Sequence, residues 1–263
     1  MNAVRSAPRD ATARGIVTVS AGNMAQGVAW AARELGVSAT IVAPDTAPRA
    51  KLDAVERLGG TVHAVTYERW WEVMTTSRYD GADGLFVHPV QDEAVMAGNG
   101  TIGLELAEDA PDADAVLVPW GGGGLFTGIA SALAAVRPAT KVYAVQPETG
   151  AAVSAALAAG APVEAPFAQS FVDGAGAKIV LPAMWERARP LLAGACAVSL
   201  EDTAAAVRLL AERAHVVAEG AGALALAAAL AGDVPGRKLV CVVSGGNIDP
   251  ARLAAILRGE VPA

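Results

Sequence analysis

The chain has 263 residues, 53% of them hydrophobic, which is enough apolar surface for a sizeable core or two lobes and excludes a disordered chain or a small stapled module. Its formal charge of −7, from 20 basic and 27 acidic residues with no basic block, argues against nucleic acid as a partner. Two cysteines far apart, Cys196 and Cys241, fit a reducing, cytoplasmic setting, and no stretch has the length and purity of a signal-peptide core or a membrane span, so no membrane partner is expected.

Along the chain, short β-branched runs alternate with helical patterns. "GIVTVS" (15–20) reads as a strand, "AGNMAQGVAWAARELG" as a helix, "SATIVAP" (38–44) as a strand, "APRAKLDAVERLGG" as a helix and "TVHAVTY" (61–67) as a strand. "GLFVHP" (84–89) closes this group, a rhythm of βαβ units and hence of parallel sheet. A helix follows in "DEAVMAGNGTIGLELAEDAP", then a buried strand in "ADAVLVPW" (113–120) and another in "KVYAVQP" (141–147), an Ala-rich helix, and a polar passage from Gly160 to Lys178. Helices are expected around 182–194, 201–214 and 219–231, then the strand "KLVCVVS" (238–244), in which Cys241 reads as a small buried hydrophobe. "SLED" (199–202) has the spacing of a capping box, and Asp249 with Pro250 forms a helix start.

The passage "VPWGGGGLFTGIA" (118–130) places four glycines between a buried strand and a helix. Bare N–H groups there converge on an anion, and any Cβ would hold a ligand away from the backbone. A P-loop does not fit, because Ile129 and Ala130 stand where Lys and Ser/Thr are required; the dinucleotide pattern does not fit either, because Gly128 comes one position late. A tight turn that only permits close packing is the alternative. Two further turns, Ser20-Ala21-Gly22-Asn23 and Ser244-Gly245-Gly246-Asn247, stand at other strand ends, where ligands of open α/β sheets collect.

Taken in order, "SAGNMAQG", "VPWGGGGLFTG", "AEGAGALAL" and "VVSGGNID", together with "GNGTIGLE" (98–105), resemble the fold-type II pyridoxal-phosphate enzymes, in the branch of threonine and serine dehydratases and serine racemases. The resemblance runs through essentially the whole chain. It implies an α/β fold of two lobes, tryptophan synthase β-like, with parallel or mixed sheets flanked by helices and incomplete at its N-terminus: a remnant helix at 1–14, a small lobe at 15–90 and a large lobe at 91–263. Gly121, Gly122, Gly123, Gly124 and the Leu125 amide would hold the phosphate of pyridoxal 5′-phosphate. Asn23 would meet its phenolic oxygen, Ser244 its pyridine nitrogen, and the turn Ser20, Ala21, Gly22, Asn23, Met24 would receive the substrate carboxylate. Glu219 matches a glutamate near the ring, with an ordinary acidic residue in a helix's first turn as the alternative.

Departures from the branch carry their own expectations. Ala21 stands where racemases carry a second Ser, which argues for elimination rather than racemisation; Met24 replaces a His whose backbone N–H would do the binding. Gln146 and Ala152 stand where some relatives place acidic cation ligands, and His63, His88 and His215 have no ligand spacing, so no metal is expected. No room is expected after "SGGNIDPARLAAILRG" for the regulatory domain of biosynthetic threonine dehydratases. The Schiff-base lysine of the branch sits in a segment ahead of a helix resembling "MNAVRSAPRDATARG", and Lys51, Lys141, Lys178 and Lys238 match no such position, so the catalytic lysine is expected to be absent. The function implied is elimination of water from a 3-hydroxy amino acid such as threonine or serine, giving a 2-oxo acid and ammonia, in a homodimer. The alternatives are a shortened, non-catalytic phosphate-ligand binder and a β-replacement enzyme of the cysteine synthase type.

Overall fold

A computed structural model describes residues 1–47 and 49–262; Pro48, within the expected helix at 47–60, and Ala263 lie outside the described residues. The chain divides into two compact units, Met1–Gly98 and Asn99–Ala263.

The first unit opens with α1 (Asn2–Ser6) and α2 (Arg9–Ala13). One helix over 1–14 is therefore two, because Ala7 precedes Pro8 and takes extended angles, φ −77° and ψ 153°, which the proline ring favours over the helical region. Then follow β1 (Ile16–Val19), α3 (Asn23–Leu35), β2 (Ala39–Pro44), α4 (Arg49–Arg57), β3 (Thr61–Val65), α5 (Tyr67–Thr76) and β4 (Leu85–Phe86). The strands form one parallel sheet in the order β3-β2-β1-β4. Alternation along β1 and β2 sorts two cores: Ile16 and Ile41 pack with Ala25, Val28 and Ala29 of α3, whereas Val17, Val19 and Val42 pack with Val73 and Met74 of α5. Ala3 and Val4 join the α3 side.

The second unit holds β5 (Ala115–Pro119), α7 (Gly124–Val136), β6 (Lys141–Pro147), α8 (Ala152–Ala159), α9 (Pro182–Ala188), β7 (Gly194–Val198), α10 (Leu200–Leu209), α11 (Gly220–Ala231), β8 (Leu239–Cys241) and α12 (Pro250–Leu257), and ahead of β5 the greater part of α6 (Glu93–Asp109), whose first residues belong to the first unit. Its sheet is again wholly parallel, in the order β7-β6-β5-β8. Ala115 and Leu117 face α10, α11 and α12, while Val116 and Val118 face α7, α8 and α9, so both faces are covered and β5 is buried at every residue. The two expected helix starts are present: Ser199 Oγ accepts from the Asp202 N–H at 3.0 Å, and Asp249 Oδ1 accepts from the Ala251 N–H at 2.7 Å.

Three elements differ from the sequence reading. Helix α5 begins at Tyr67, where a strand was expected to end; Thr66 caps it, and Val73 and Met74 bury its inner face. Strand β7 begins at Gly194, where the expected helix was to end, in a stretch for which no strand was expected, and its Gly194 is required because a Cβ there would lie 2.9 Å from the Tyr143 ring. The helix expected over 201–214 becomes a π-turn at 210–214 and ends on His215 at φ 56°.

Candidate functional site

The site of the second unit is built at the carboxyl end of its sheet. Leu117 pairs in register with Cys241, so β5 and β8 release their chains at the same level three residues on, at Trp120 and Ser244. Gly121 to Gly123 make the turn and Gly124 starts α7, with Gly123 in the left-handed region at φ 96°. Trp120, 1% exposed, anchors the turn: its ring lies 5.2 Å from that of Phe126, and a Cβ on Gly123 would come within 2.6 Å of it. Helix α7 has no side-chain cap and no acidic residue in its first turn. Its first N–H groups and the positive end of its dipole are therefore left for an anion.

A second loop closes the turn from behind. The Gly176 N–H donates to the Trp120 carbonyl at 2.9 Å, and a Cβ on Gly121 would lie 2.9 Å from the Gly174 carbonyl oxygen. Glu219, 6% exposed, borders the same loop, since a Cβ on Gly174 would stand 3.2 Å from its Oε1. Glu219 precedes α11 and donates its N–H to the Gly245 carbonyl at 3.0 Å. Gly121, Gly174, Glu219 and Gly245 thus form one continuous packed series. Ser244 is exposed at its rim, and Asn247 carries a buried Nδ2 without a partner. Gly174, Gly176 and the unpartnered Thr127 hydroxyl were not singled out as site groups from the sequence; the glycines of "DGAGAKIV" were the only signal for the first two, and Thr127 lies within "VPWGGGGLFTGIA" itself.

In the first unit, Ser20 to Met24 follow β1 as one turn. The Ser20 N–H still pairs with Val42, the Gly22 N–H donates to Ser20 Oγ at 3.2 Å, and α3 begins at Asn23 without a side-chain cap or an early acid. That is a second helix start open to an anion. Asn23 is exposed and has an interaction of its own within the structure.

The remaining candidates have structural partners. Gln146, fully buried, accepts from the Val153 N–H at 2.8 Å and so caps α8. His63 Nδ1 lies 2.9 Å from the Tyr79 hydroxyl, and His215 is exposed. Among the described residues no group of three His, Cys, Asp or Glu side chains could hold a metal, and no helix is long and apolar enough to cross a membrane. Lys141 starts β6 and Lys238 directly precedes β8, at the end of the sheet opposite the glycine turn, and Lys238 pairs with Asp112. Lys178 pairs with Glu164 at 3.4 Å, and Lys51 lies on α4.

Comparison with known proteins decides the family. The family described as pyridoxal-phosphate dependent enzyme matches residues 1–245. The chain belongs to this family. Among curated relatives, the L-threonine ammonia-lyase of Thermotoga maritima is 42% identical over 240 residues, covering 90% of the chain and 59% of the relative, and that of Geobacter sulfurreducens is 40% identical over 271 residues, covering 100% and 66%. The chain thus spans less than two thirds of the length of these relatives. Among solved structures, maize serine racemase superposes with a TM-score of 0.88 at 30% identity, covering 98% of the chain and 80% of that structure. The processed form of threonine deaminase isoform 2 from Solanum lycopersicum gives 0.86 at 30% identity, covering 98% and 77%. These neighbours share the two-sheet α/β architecture expected from the motifs.

The family's cofactor is pyridoxal phosphate. The residues of the second unit fit its phosphate: a turn in which side chains are sterically refused at Gly121 and Gly123, an uncapped helix start, and buried polar atoms at Thr127 and Asn247 that lack partners.

Proposed function

We propose that the chain represents a lyase that eliminates water from a 3-hydroxy amino acid such as L-threonine or L-serine and releases a 2-oxo acid and ammonia. The observation that carries this reading is the glycine turn Gly121 to Gly124 at the carboxyl end of β5, with Ser244 three residues beyond the neighbouring strand β8. The names of the relatives, ammonia-lyases at 42% and 40% identity, support the reaction type.

Pyridoxal phosphate, when bound, supplies the electron sink that makes the α-proton of an amino acid removable. In this proposal the N–H groups of Gly121 to Leu125 hold its phosphate. Ser244 offers the ring nitrogen a hydroxyl rather than a carboxylate, which leaves that nitrogen without a fixed positive charge and favours loss of a β-hydroxyl. Glu219, held beside Gly174 and Gly245, borders the same turn. The uncapped start of α3 at Ser20 to Met24 receives an amino acid's carboxylate, and Ala21 presents no acid or base there. A homodimer in the cytoplasm, whose reducing setting suits two free thiols, completes the reading.

The test is a coupled assay with L-threonine and pyridoxal phosphate that follows 2-oxobutanoate and ammonia in equal amounts, with sedimentation for the oligomeric state. Formation of D-allothreonine, the Cα epimer, or of a β-replacement product in place of ammonia overturns it. A second reading, binding without turnover by this stretch of chain alone, is favoured by the placement of its lysines: Lys141 and Lys238 at the far end of the sheet and Lys178 in an ion pair. On that reading, borohydride in the presence of pyridoxal phosphate fixes the cofactor to no specific lysine.

A further inference from the structure

A threonine inside a helix ordinarily turns its hydroxyl back onto the carbonyl three or four residues earlier. This protein follows that habit at Thr75, which donates to the Trp71 carbonyl at 3.0 Å, at Thr76, which donates to Glu72 at 2.7 Å, and at Thr203, which donates to Ser199 at 2.7 Å. Thr127 does not. Its N–H donates to the Gly123 carbonyl at 2.8 Å, yet its Oγ1 is buried with no hydrogen-bond partner, in a residue only 5% exposed.

A buried hydroxyl without a partner costs free energy that solvent no longer offsets. Thr127 is the fourth residue of α7, so it stands one turn above Gly123 and Gly124, the last two glycines of the turn. Helical side chains lean toward the N-terminus of their helix, which carries the hydroxyl toward the uncapped N–H groups of the first turn.

We infer that the Thr127 hydroxyl is a further phosphate-binding group, a donor that completes its hydrogen bonding on a phosphate oxygen seated in the glycine turn. This rests on the reading that the turn holds a phosphate. The hydroxyl adds a hydrogen bond to a charged acceptor and selects phosphorylated over unphosphorylated ligands.

The experiment compares calorimetric affinities of the wild type, Thr127→Val and Thr127→Ser for pyridoxine 5′-phosphate and for pyridoxine, neither of which carries an aldehyde that a lysine could capture. The expected result is a loss of about tenfold or more for Thr127→Val toward the phosphate ester alone, recovered in Thr127→Ser. The ligand-free melting temperature of Thr127→Val should stay the same or rise, since the variant removes an unsatisfied group. Should the valine variant fail to fold, Thr127→Ala carries the same expected loss. Equal affinity in the wild type and Thr127→Val overturns the inference while leaving the glycine turn as the phosphate site, as does a loss shared by pyridoxine. A wild type that binds both ligands alike overturns the phosphate reading and this inference with it.

Discussion

The Glu219 N–H donates to the Gly245 carbonyl oxygen across 3.0 Å and pins the start of α11 to the loop after β8. That contact requires Gly222, because a Cβ there would fall on the Gly245 carbonyl oxygen. Gly222→Ala must push the Ser244-Gly245-Gly246-Asn247 loop away, and a loss of about 1–3 kcal/mol is expected from overpacking of this kind. Gly27, inside α3 with open space for 4 Å around the place a Cβ would take, should respond oppositely: Gly27→Ala gains about 0.5–1 kcal/mol of helix propensity. Urea titrations of both variants check the difference in sign.

Gly123 carries two constraints at once, a φ of 96° and the Trp120 ring 2.6 Å from any Cβ. On the proposed reading Gly123→Asp adds a negative charge to the turn that would hold the phosphate, so binding of pyridoxine 5′-phosphate should be lost. Gly160→Asp is the matching control: it bears the strain of a positive φ of 72° and brings the same charge, but meets nothing within 4 Å at the end of α8. Calorimetry should find phosphate-ester binding intact in Gly160→Asp. Retained binding in Gly123→Asp would return the glycines to a packing role.

Much of this was legible in the sequence because each signal was local. The strands β1, β2, β5 and β6 announce themselves as β-branched runs, and Asp249 and Ser199 announce helix starts, since a cap needs only a few adjacent residues. Strand β7 was not legible: "GACAV" has one β-branched residue and owes its strand state to its ladder with β6. Helix α5 was not legible either: the expected strand ran through Tyr67, and the aromatic residues that follow give the helix no clear pattern until Val73 and Met74 find a core. At the site, four glycines in a row point to the turn, but the closing of Gly174 onto Gly121 lies 53 positions away and only the fold reveals it.

His88 should make stability depend on pH. Its Nδ1 accepts from the Val90 and Gln91 N–H groups at 3.0 and 2.9 Å, so it bears no proton, and Nε2 donates to the Met74 carbonyl at 2.9 Å. Burial holds the imidazole pKa below its ordinary value of 6.5, against smaller opposing effects of the Met74 hydrogen bond and the Asp92 charge. The unfolded chain then binds the proton more readily than the folded one. The contribution of His88 is fully present above pH 6.5 and is lost as pH falls below it, with a slope of up to about 1.4 kcal/mol per pH unit. Urea midpoints between pH 7 and 5 should fall less steeply in His88→Gln than in the wild type, whatever the variant loses at pH 7.

Gln146 shows why an acidic residue is not interchangeable with an amide at its position. Its Oε1 accepts the Val153 N–H while its Nε2 is buried without a partner, so a glutamate would keep the cap and remove the unsatisfied donor. Its charge, however, would be fully buried where the described residues provide no metal-binding group. Gln146→Glu should therefore cost at least about 2 kcal/mol at pH 7, where the carboxylate must either stay charged out of water or take up a proton. Burial raises such a carboxyl's folded pKa above the unfolded one, so the folded state binds the extra proton and the deficit shrinks as pH is lowered from 7 to 5. Gln146→Leu, which loses the cap and no charge, should show a smaller deficit with no such pH dependence. Parallel urea titrations at pH 7 and pH 5 distinguish the two, and a Gln146→Glu variant as stable as the wild type at pH 7 would mean that the carboxylate finds a counter-charge at the start of α8.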